Sequence, residues 1–312
     1  MVPMIEKPVP WPNGAKVAAS YTFDMDADSI LHIVYPEDAA QKVSCMTMLR
    51  YGPDIAVPRI CKLFESFGMK ITFFIPAWCI EEHPKAVERI LKGGHEIGHH
   101  GYLHENPNLH TRDRELYWTA RAMDVIERFT GKKPVGYRAP LYQYSKHTTE
   151  ILTSLGFEYD TSLMGDDVPY IVRSRSGGEL VELPGFWAMD DWPHYMHSIE
   201  MDYMMPISPP ERAAEVYMSE FEAAWQYGGF WQTVWHPFLS GRPARLRQVE
   251  KMLEAMHKKG KVWFPTLEQC SRHFSKLVKT GKYKARVVEL PIKESRIAQL
   301  AEDQVTPNLK PN

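Results

Sequence analysis

The chain has 312 residues, 44% hydrophobic and 24% charged, which suits one large globular domain or two modest ones. Its net charge of -2 provides no broad positive field, which argues against nucleic acid or a membrane surface as the main partner. The opening stretch "MVPMIEKPVPWPNG" has no apolar run typical of a signal peptide or membrane anchor, and the four cysteines form no C-x-x-C pair. We therefore expect a cytoplasmic protein with reduced, buried thiols.

Short β-rich segments alternate with longer amphipathic ones along the chain, an order typical of βα units. The predicted strands cover residues 16–26, 70–76, 95–100, 136–140, 157–162, 180–185, 230–237 and 261–268. The predicted helices cover residues 54–67, 84–93, 111–130, 146–155, 209–227 and 243–259. This pattern predicts an α/β fold, a distorted (β/α) barrel of seven or eight strands, with a flat doubly wound sheet as the alternative.

Two segments fall outside the alternating pattern. An insert, residues 28–53, follows the first strand, and a C-terminal extension, residues 276–312, follows the barrel, which we assign to residues 1–275. Long inserts on a barrel usually shape a pocket or an oligomer contact. We therefore expect a homo-oligomer that associates through the insert or the extension.

The stretch "GGHEIGHHGYLHE" concentrates histidines behind a predicted strand. His100 and His104 are four residues apart, so on a helical turn both would point a ring nitrogen at one ion. Taken alone, this spacing also fits a solvated helix start. Three nearby histidines are interpreted as spectators or supporting groups: His95, His99 and His110.

Polar residues also follow several other predicted strands. Asp24 and Asp26 end the first strand, and two buried carboxylates there would repel each other unless a cation or a donor compensates. An exposed Asx-rich turn is the alternative. The ends of the later strands carry Arg138, Asp190, Asp191, Trp192 and His236. In a (β/α) barrel these ends meet at the rim where catalytic groups gather.

A metal with three protein ligands keeps a coordination position for water, which favours hydrolysis. Asp24 is then the candidate base. An amide nitrogen leaves poorly unless it is protonated, so a general acid is also needed, and His236 is the candidate. For His236 the alternative is a polar residue that only caps its strand before Pro237.

Five stretches taken in order, "TFDMD", "HHGYLH", "YRAP", "DDW" and "VWHP", resemble the motifs of the polysaccharide deacetylase superfamily, carbohydrate esterase family 4. The resemblance spans roughly residues 20–240 and implies a distorted barrel with a divalent metal, usually zinc. By position it implies the ligands Asp26, His100 and His104, the base Asp24 oriented by Arg138, and the acid His236 supported by Asp191. A backbone amide after "YRAP" is the candidate oxyanion donor. Met25 separates two aspartates that are adjacent in the usual motif, so which of them binds the metal stays open.

Further stretches, "WPNGAKVA", "FDMDADS" and "WHPFLSGRPARL", look like the branch that includes cyclic imide hydrolases, allantoinase-like enzymes and a peptidoglycan deacetylase homologue. The expected substrate is a small cyclic imide or ureide, with N-deacetylation of an N-acetylated amino sugar second. A non-catalytic barrel that binds sugar or metal is third. Four tryptophans are candidates to stack on a sugar or to wall a small pocket: Trp78, Trp187, Trp192 and Trp235.

Overall fold

The computed structural model describes residues 2–292, and the structural statements below concern those residues. Its strands are β1 Val17–Ser20, β2 Thr22–Asp24, β3 Thr72–Ile75, β4 Glu96–His99, β5 Gly136–Tyr137, β6 Tyr159–Asp160, β7 Tyr170–Ser174, β8 Glu179–Glu182, β9 Phe230–Gln232, β10 Val262–Trp263 and β11 Val287–Leu290. Its helices are α1 Ser29–Val34, α2 Val43–Tyr51, α3 Val57–Ser66, α4 Ala77–Glu82, α5 Pro84–Lys92, α6 Arg112–Thr130, α7 Thr148–Leu155, α8 Trp192–Tyr195, α9 Pro210–Tyr227, α10 Pro237–Ser240, α11 Pro243–Lys259 and α12 Leu267–Lys279.

The strands form a parallel, barrel-like layer with helices outside it. An eight-stranded sheet has the order β11-β7-β8-β6-β5-β4-β3-β2, and a three-stranded sheet has the order β10-β1-β9. Two isolated parallel bridges, Phe23 to Trp235 and Asp190 to Val234, connect the edges of these ladders. From β2 to β6 each strand pairs with the next strand in the chain, whereas a doubly wound sheet reverses its order at a switch point. The fold is therefore the predicted barrel-like α/β class.

Two strands and several helices were not predicted. β7 pairs antiparallel with β8, and β11 adds a parallel strand to the other side of β7. The insert forms α1 and α2, so it carries regular structure. The boundary predicted at residue 275 lies inside α12, and residues 293–312 of the predicted extension lie outside the described residues.

Local sequence explains where the long helices begin and end. α9 and α11 begin with proline, which has the φ of a helix and lacks only an amide hydrogen that the first turn leaves unpaired. α6 and α7 end at Gly131 and Gly156, both in the left-handed conformation that a side chain disfavours. Thr266 and Gln269 form a capping box at the start of α12.

The core lies between the strands and this helical layer. All four residues of β3 are buried, as expected for a parallel strand covered on both faces. The four cysteines are free and buried, in agreement with the expectation of packing thiols. Within the described residues, no helix combines the length and the apolar character needed to cross a lipid bilayer.

Candidate metal centre and active site

The first two site residues lie where β2 ends. Asp24 is the last residue of β2, and Asp26 follows two residues later; both carboxylates are buried. The backbone oxygen of Asp26 accepts hydrogen bonds from the Ser29 hydroxyl at 2.7 Å and the Cys79 thiol at 2.9 Å. The chain is therefore held at Asp26, and its side chain is presented to the end of β4.

The histidine pair lies on a bend that follows β4. His100 and His104 are buried, but the helical turn expected from their spacing is absent: Gly101 and His104 both adopt left-handed backbone, with φ of 74° and 64°. The Glu105 carboxylate accepts hydrogen bonds from the backbone amides of Tyr102 and Leu103. The prediction of a helical turn was wrong because these contacts make a tight loop that brings the two rings together by another route.

Asp26, His100 and His104 surround one point in space. Their candidate ligand atoms lie within 4.8 Å of one another. Asp26 Oδ1 is 3.4 Å from His100 Nε2, and Asp26 Oδ2 is 3.5 Å from His104 Nε2. Ligand atoms that share one tetrahedral zinc ion are about 3.4 Å apart, given metal–ligand distances of about 2.0–2.1 Å. Asp26 Oδ1 is buried and makes no hydrogen bond, so these residues fit a divalent metal ion.

The protonation of these groups also fits metal binding. His100 Nδ1 lies 2.7 Å from the backbone oxygen of Arg138, so Nδ1 donates and Nε2 keeps its lone pair. Burial lowers the pKa of His104 to about 4, so its ring is neutral at neutral pH. Burial alone would raise the pKa of Asp26, but the surrounding histidines lower it below its ordinary value. The carboxylate is therefore ionised and both imidazoles can bind a cation.

Asp24 lies beside this group and is bonded to Arg138. Its Oδ1 accepts a hydrogen bond from Arg138 Nη1, and its Oδ2 is 3.7 Å from His100 Nε2. The buried guanidinium also donates to Thr22 Oγ1 at 2.9 Å and to Gln232 Oε1 at 3.2 Å. These partners hold the guanidinium in one position, and with it one oxygen of Asp24. The other oxygen faces the candidate metal ligands.

His236 and Asp191 form a second hydrogen-bonded pair. His236 Nδ1 lies 2.6 Å from Asp191 Oδ1, and Asp191 also accepts from the backbone amide of His236 and from the Ser240 hydroxyl. His236 Nε2 is 3.4 Å from Asp26 Oδ2. Burial would lower the pKa of His236, but the neighbouring Asp191 and Asp26 carboxylates raise it well above its ordinary value. The ring is therefore suited to donate a proton.

One pocket of about 80 Å³ is lined by the three candidate ligands, Asp24, Arg138 and His236, while Asp191 lies behind His236 and does not line it. Of the predicted tryptophans, Trp187 and Trp192 line it, whereas Trp235 is buried in the core and Trp78 packs on the ring of His32. The other walls include Leu141, Tyr142 and Asp190. The pocket is therefore small, and its walls combine the candidate metal ligands with aromatic side chains.

The turn after "YRAP" contains two consecutive non-glycine residues in left-handed backbone. Leu141 has φ of 57° and Tyr142 has φ of 55°. Such conformations are unfavourable and concentrate at functional sites. The Tyr142 amide donates to the Ala139 oxygen at 3.0 Å, so the Leu141 amide is the candidate oxyanion donor.

Some contributors to the site were missed or only partly recognised from the sequence. The side chain of Asp190 accepts from the Tyr142 hydroxyl across the pocket, although the sequence placed Asp190 only at the rim. His99, interpreted as a spectator or supporting group, accepts from the Gly101 amide through Nδ1 at 3.1 Å and so supports the histidine bend. Neither contact has a spacing that sequence patterns reveal.

Known proteins are similar to this chain in sequence and in fold. A family model described as polysaccharide deacetylase matches residues 41–159. The peptidoglycan deacetylase of Helicobacter pylori is 31% identical over 252 residues, which cover 72% of this chain and 86% of that protein. The chain belongs to the polysaccharide deacetylase family. Deacetylases of this family hydrolyse carbon–nitrogen amide bonds, as the sequence motifs implied, and the family in general depends on a metal.

Two solved structures are similar to this chain. A putative polysaccharide deacetylase from Mycobacterium smegmatis is 36% identical, with a TM-score of 0.84 over 93% of this chain and 97% of that one. An allantoinase is 23% identical, with a TM-score of 0.75 over 88% of this chain and 94% of that one, and shows the shared fold alone. The family and the barrel-like fold expected from the sequence are thereby confirmed.

Proposed function

We propose that Asp26, His100 and His104 hold one divalent metal ion, with zinc as the expected metal, and that Asp24 and His236 cleave an amide beside it. The observation that carries this proposal is the pair of buried dyads around the three ligands. Asp24 is held by Arg138, and His236 is held by Asp191. A sugar-binding or metal-storing barrel requires neither dyad, which makes a non-catalytic role the weaker interpretation.

The bound ion would supply a Lewis acid that polarises the substrate carbonyl and makes water a better nucleophile. Asp24 takes the proton from the attacking water, and its pairing with Arg138 holds the carboxylate in position. The Leu141 amide donates to the oxygen that gains negative charge. His236 then gives its Nε2 proton to the leaving nitrogen, while Asp191 stabilises the imidazolium form. The products are a carboxylic acid and the released nitrogen group, which is a carboxamide from an imide, a urea group from a ureide and an amine from an acetamido group.

For the substrate, we propose a small cyclic imide or ureide. The supporting observation is the small pocket of about 80 Å³, whose lining includes Tyr142, Trp187 and Trp192. A five- or six-membered ring fits this volume with its carbonyl toward the metal ligands. Cleavage of the ring bond leaves the carboxylic acid and the released carboxamide or urea group on one product molecule.

A second candidate is N-deacetylation of an amino sugar. It is supported by the Helicobacter pylori relative, whose name is peptidoglycan deacetylase, and by a 28% identical protein of Gibberella zeae named peptidoglycan deacetylase-like. The pocket would then hold only the acetamido group. The sugar would contact the rim, where the side chains of Leu141 and Trp187 are 54% and 51% exposed.

One turnover assay separates these candidates. Purified protein loaded with zinc is incubated with succinimide, dihydrouracil, allantoin and N-acetylglucosamine oligomers, and both ring opening and acetate release are measured. Ring opening without acetate release supports the cyclic substrate, and the reverse supports the sugar. Asp24→Asn is the control for adventitious metal catalysis, because it leaves the three proposed ligands in place. No turnover of any of these amides would contradict the proposed function.

A further inference from the structure

Asp190 is a pocket residue to which the reaction above assigns no role. Its carboxylate is buried and lines the pocket next to Trp192. Oδ1 accepts a hydrogen bond from the Trp192 amide at 2.7 Å, and Oδ2 accepts one from the Tyr142 hydroxyl at 2.7 Å. Its nearest histidine nitrogen, His236 Nδ1 at 4.0 Å, already donates to Asp191. Asp190 is therefore neither a metal ligand in the group described above nor the partner of the general acid.

The Asp190 carboxylate can accept more hydrogen bonds than the two that the Trp192 amide and the Tyr142 hydroxyl donate to it. Two carboxylate oxygens accept about four hydrogen bonds in total, and the protein supplies these two. A buried carboxylate is costly without further donors, and burial raises the pKa of Asp190 to about 7. A ligand that brings an N–H group into the pocket would supply a missing donor.

We propose that Asp190 is a specificity-determining residue that accepts a hydrogen bond from the N–H of the substrate amide. This inference rests on the proposed function, since it requires an amide in this pocket. Cyclic imides, ureides and acetamido groups all carry an N–H beside the scissile carbonyl. Asp190 thus selects amides with a free N–H over their N-alkylated analogues, and it holds the leaving nitrogen on the side of the pocket where His236 lies.

A purely structural role would have a different signature. The bond from Tyr142 to Asp190 links the strained turn at residues 140–142 to the segment at residues 187–192. If this link were the whole role of Asp190, a change at Asp190 and a change at Tyr142 would reduce kcat/KM by the same factor for every substrate. Tyr142→Phe breaks the link and keeps the carboxylate. Asp190→Asn keeps the shape and the oxygen that accepts from Trp192, but replaces the second oxygen with an amide group that cannot accept.

The experiment compares kcat/KM for succinimide and N-methylsuccinimide in the wild type, Asp190→Asn and Tyr142→Phe. If the wild type acts on the sugar instead, the pair is an N-acetylglucosamine oligomer and its N-methylacetamido analogue. The ratio of kcat/KM for the N–H compound to that for the N-methyl compound is the readout. At about pH 8, above the pKa of about 7, the Asp190 carboxylate is mostly ionised, and we expect Asp190→Asn to reduce this ratio by about 10- to 100-fold, the size of one hydrogen bond to a charged group. Tyr142→Phe is expected to lower both values by a similar factor and leave the ratio unchanged.

Two results would overturn the inference while leaving the proposed function intact. One is a wild type that hydrolyses the N–H and N-methyl compounds equally well. The other is an equal change of the ratio in Asp190→Asn and Tyr142→Phe, or no change in either, because the structural link would then explain Asp190. Failure of the proposed function is a separate result, in which the wild type hydrolyses none of the four N–H amides of the turnover assay.

Discussion

Asp24 and His236 are assigned opposite proton transfers, and they differ in which substrates should need them. His236→Ala is expected to reduce kcat by about 10²- to 10⁴-fold on an amide with a poor leaving group, the usual range for loss of a general acid. A substrate with an activated leaving group needs no proton and should be partly spared. Asp24→Asn should reduce both rates alike, because water must be deprotonated in either case.

The measurement is kcat/KM for an amide and for an ester or anilide of the same acyl group. Equal losses on both kinds of substrate for both variants would show that the roles are wrongly divided. His236 would then only shape the pocket.

The charge of Asp191 should determine the alkaline limb of the pH–rate profile. Asp191 raises the pKa of His236, and the acid works only when protonated, so the rate falls as pH rises through that pKa. Asp191→Asn removes the negative charge, lowers the pKa of His236 and should move the alkaline limb to lower pH. Ser240→Ala removes a neutral partner of the same carboxylate and should leave the limb close to its wild-type position. An alkaline limb that stays in place in Asp191→Asn would contradict this role.

At the level of elements, the bend after β4 determines whether the metal ligands meet. A Cβ at Gly101 would lie 3.1 Å from the Pro140 side chain and 3.2 Å from the Glu105 carboxylate, besides requiring left-handed backbone. Gly101→Ala should therefore weaken metal binding. Gly131→Ala is the matched control: it has a similar φ of 72° at the end of α6 and open space around its Cβ.

Both glycine variants should lose about 1–2 kcal/mol of unfolding free energy from the unfavourable backbone. Only Gly101→Ala should bind zinc more weakly when the metal-free protein is titrated. Equal zinc affinity in both variants would show that the bend does not position the ligands.

The ends of β6 and β8 carry a buried carboxyl pair outside the active site. Burial, and then the charge of Asp160, raise the pKa of Glu182 well above its ordinary value, so the folded protein keeps a proton there that the unfolded chain releases. The folded state then binds more protons than the unfolded state above the ordinary pKa of a glutamate, and stability falls as pH rises through that range. Glu182→Gln removes this titration. Its melting temperature should rise relative to that of the wild type between about pH 5 and about pH 8.

Glu179→Gln, an exposed position on the same strand, is the control and should not change this pH dependence. If the melting temperatures of the wild type and of Glu182→Gln changed in parallel with pH over this range, the folded protein would not hold the extra proton on Glu182.

On the scale of the whole molecule, we propose a homo-oligomer. The segment at residues 199–207 carries four exposed apolar side chains: Ile199, Met204, Met205 and Ile207. The Tyr35 hydroxyl of the insert donates to the Glu200 backbone oxygen, which connects this surface to the insert. Exposed apolar surface of this kind suits contact between copies of the chain. Light scattering at micromolar concentration should show a species larger than the monomer, and a strict monomer would contradict the oligomer.

The sequence predicted the parts of the molecule that have regular patterns. The parallel strands that carry the site, and the long helices α6, α9 and α11, follow from apolar periodicity, prolines and glycines. β7 and β11 were missed because β7 runs antiparallel inside a βα pattern and β11 lies beyond the last predicted strand. α1 and α2 were missed because their sequence is short and weakly amphipathic.

The candidate site was predicted as a set of residues but without its supporting contacts. Parallel strands bring their carboxyl ends to one rim, so Asp24, Arg138 and His236 could be placed together from their positions in the sequence. The route of the histidine bend depends on left-handed backbone at Gly101 and His104, and the link from Tyr142 to Asp190 joins residues 48 positions apart, so no periodic pattern encodes either.

The central claim is that Asp26, His100 and His104 hold one divalent ion without which no amide is cleaved. The test is zinc titration of the metal-stripped protein with binding and amide hydrolysis followed together, in the wild type, in His100→Ala and in His257→Ala, whose histidine lies on the exposed face of α11. We expect about one ion per chain and full recovery of activity in the wild type and His257→Ala, and loss of both in His100→Ala. A metal-stripped wild type that hydrolyses the amide at full rate would contradict the claim.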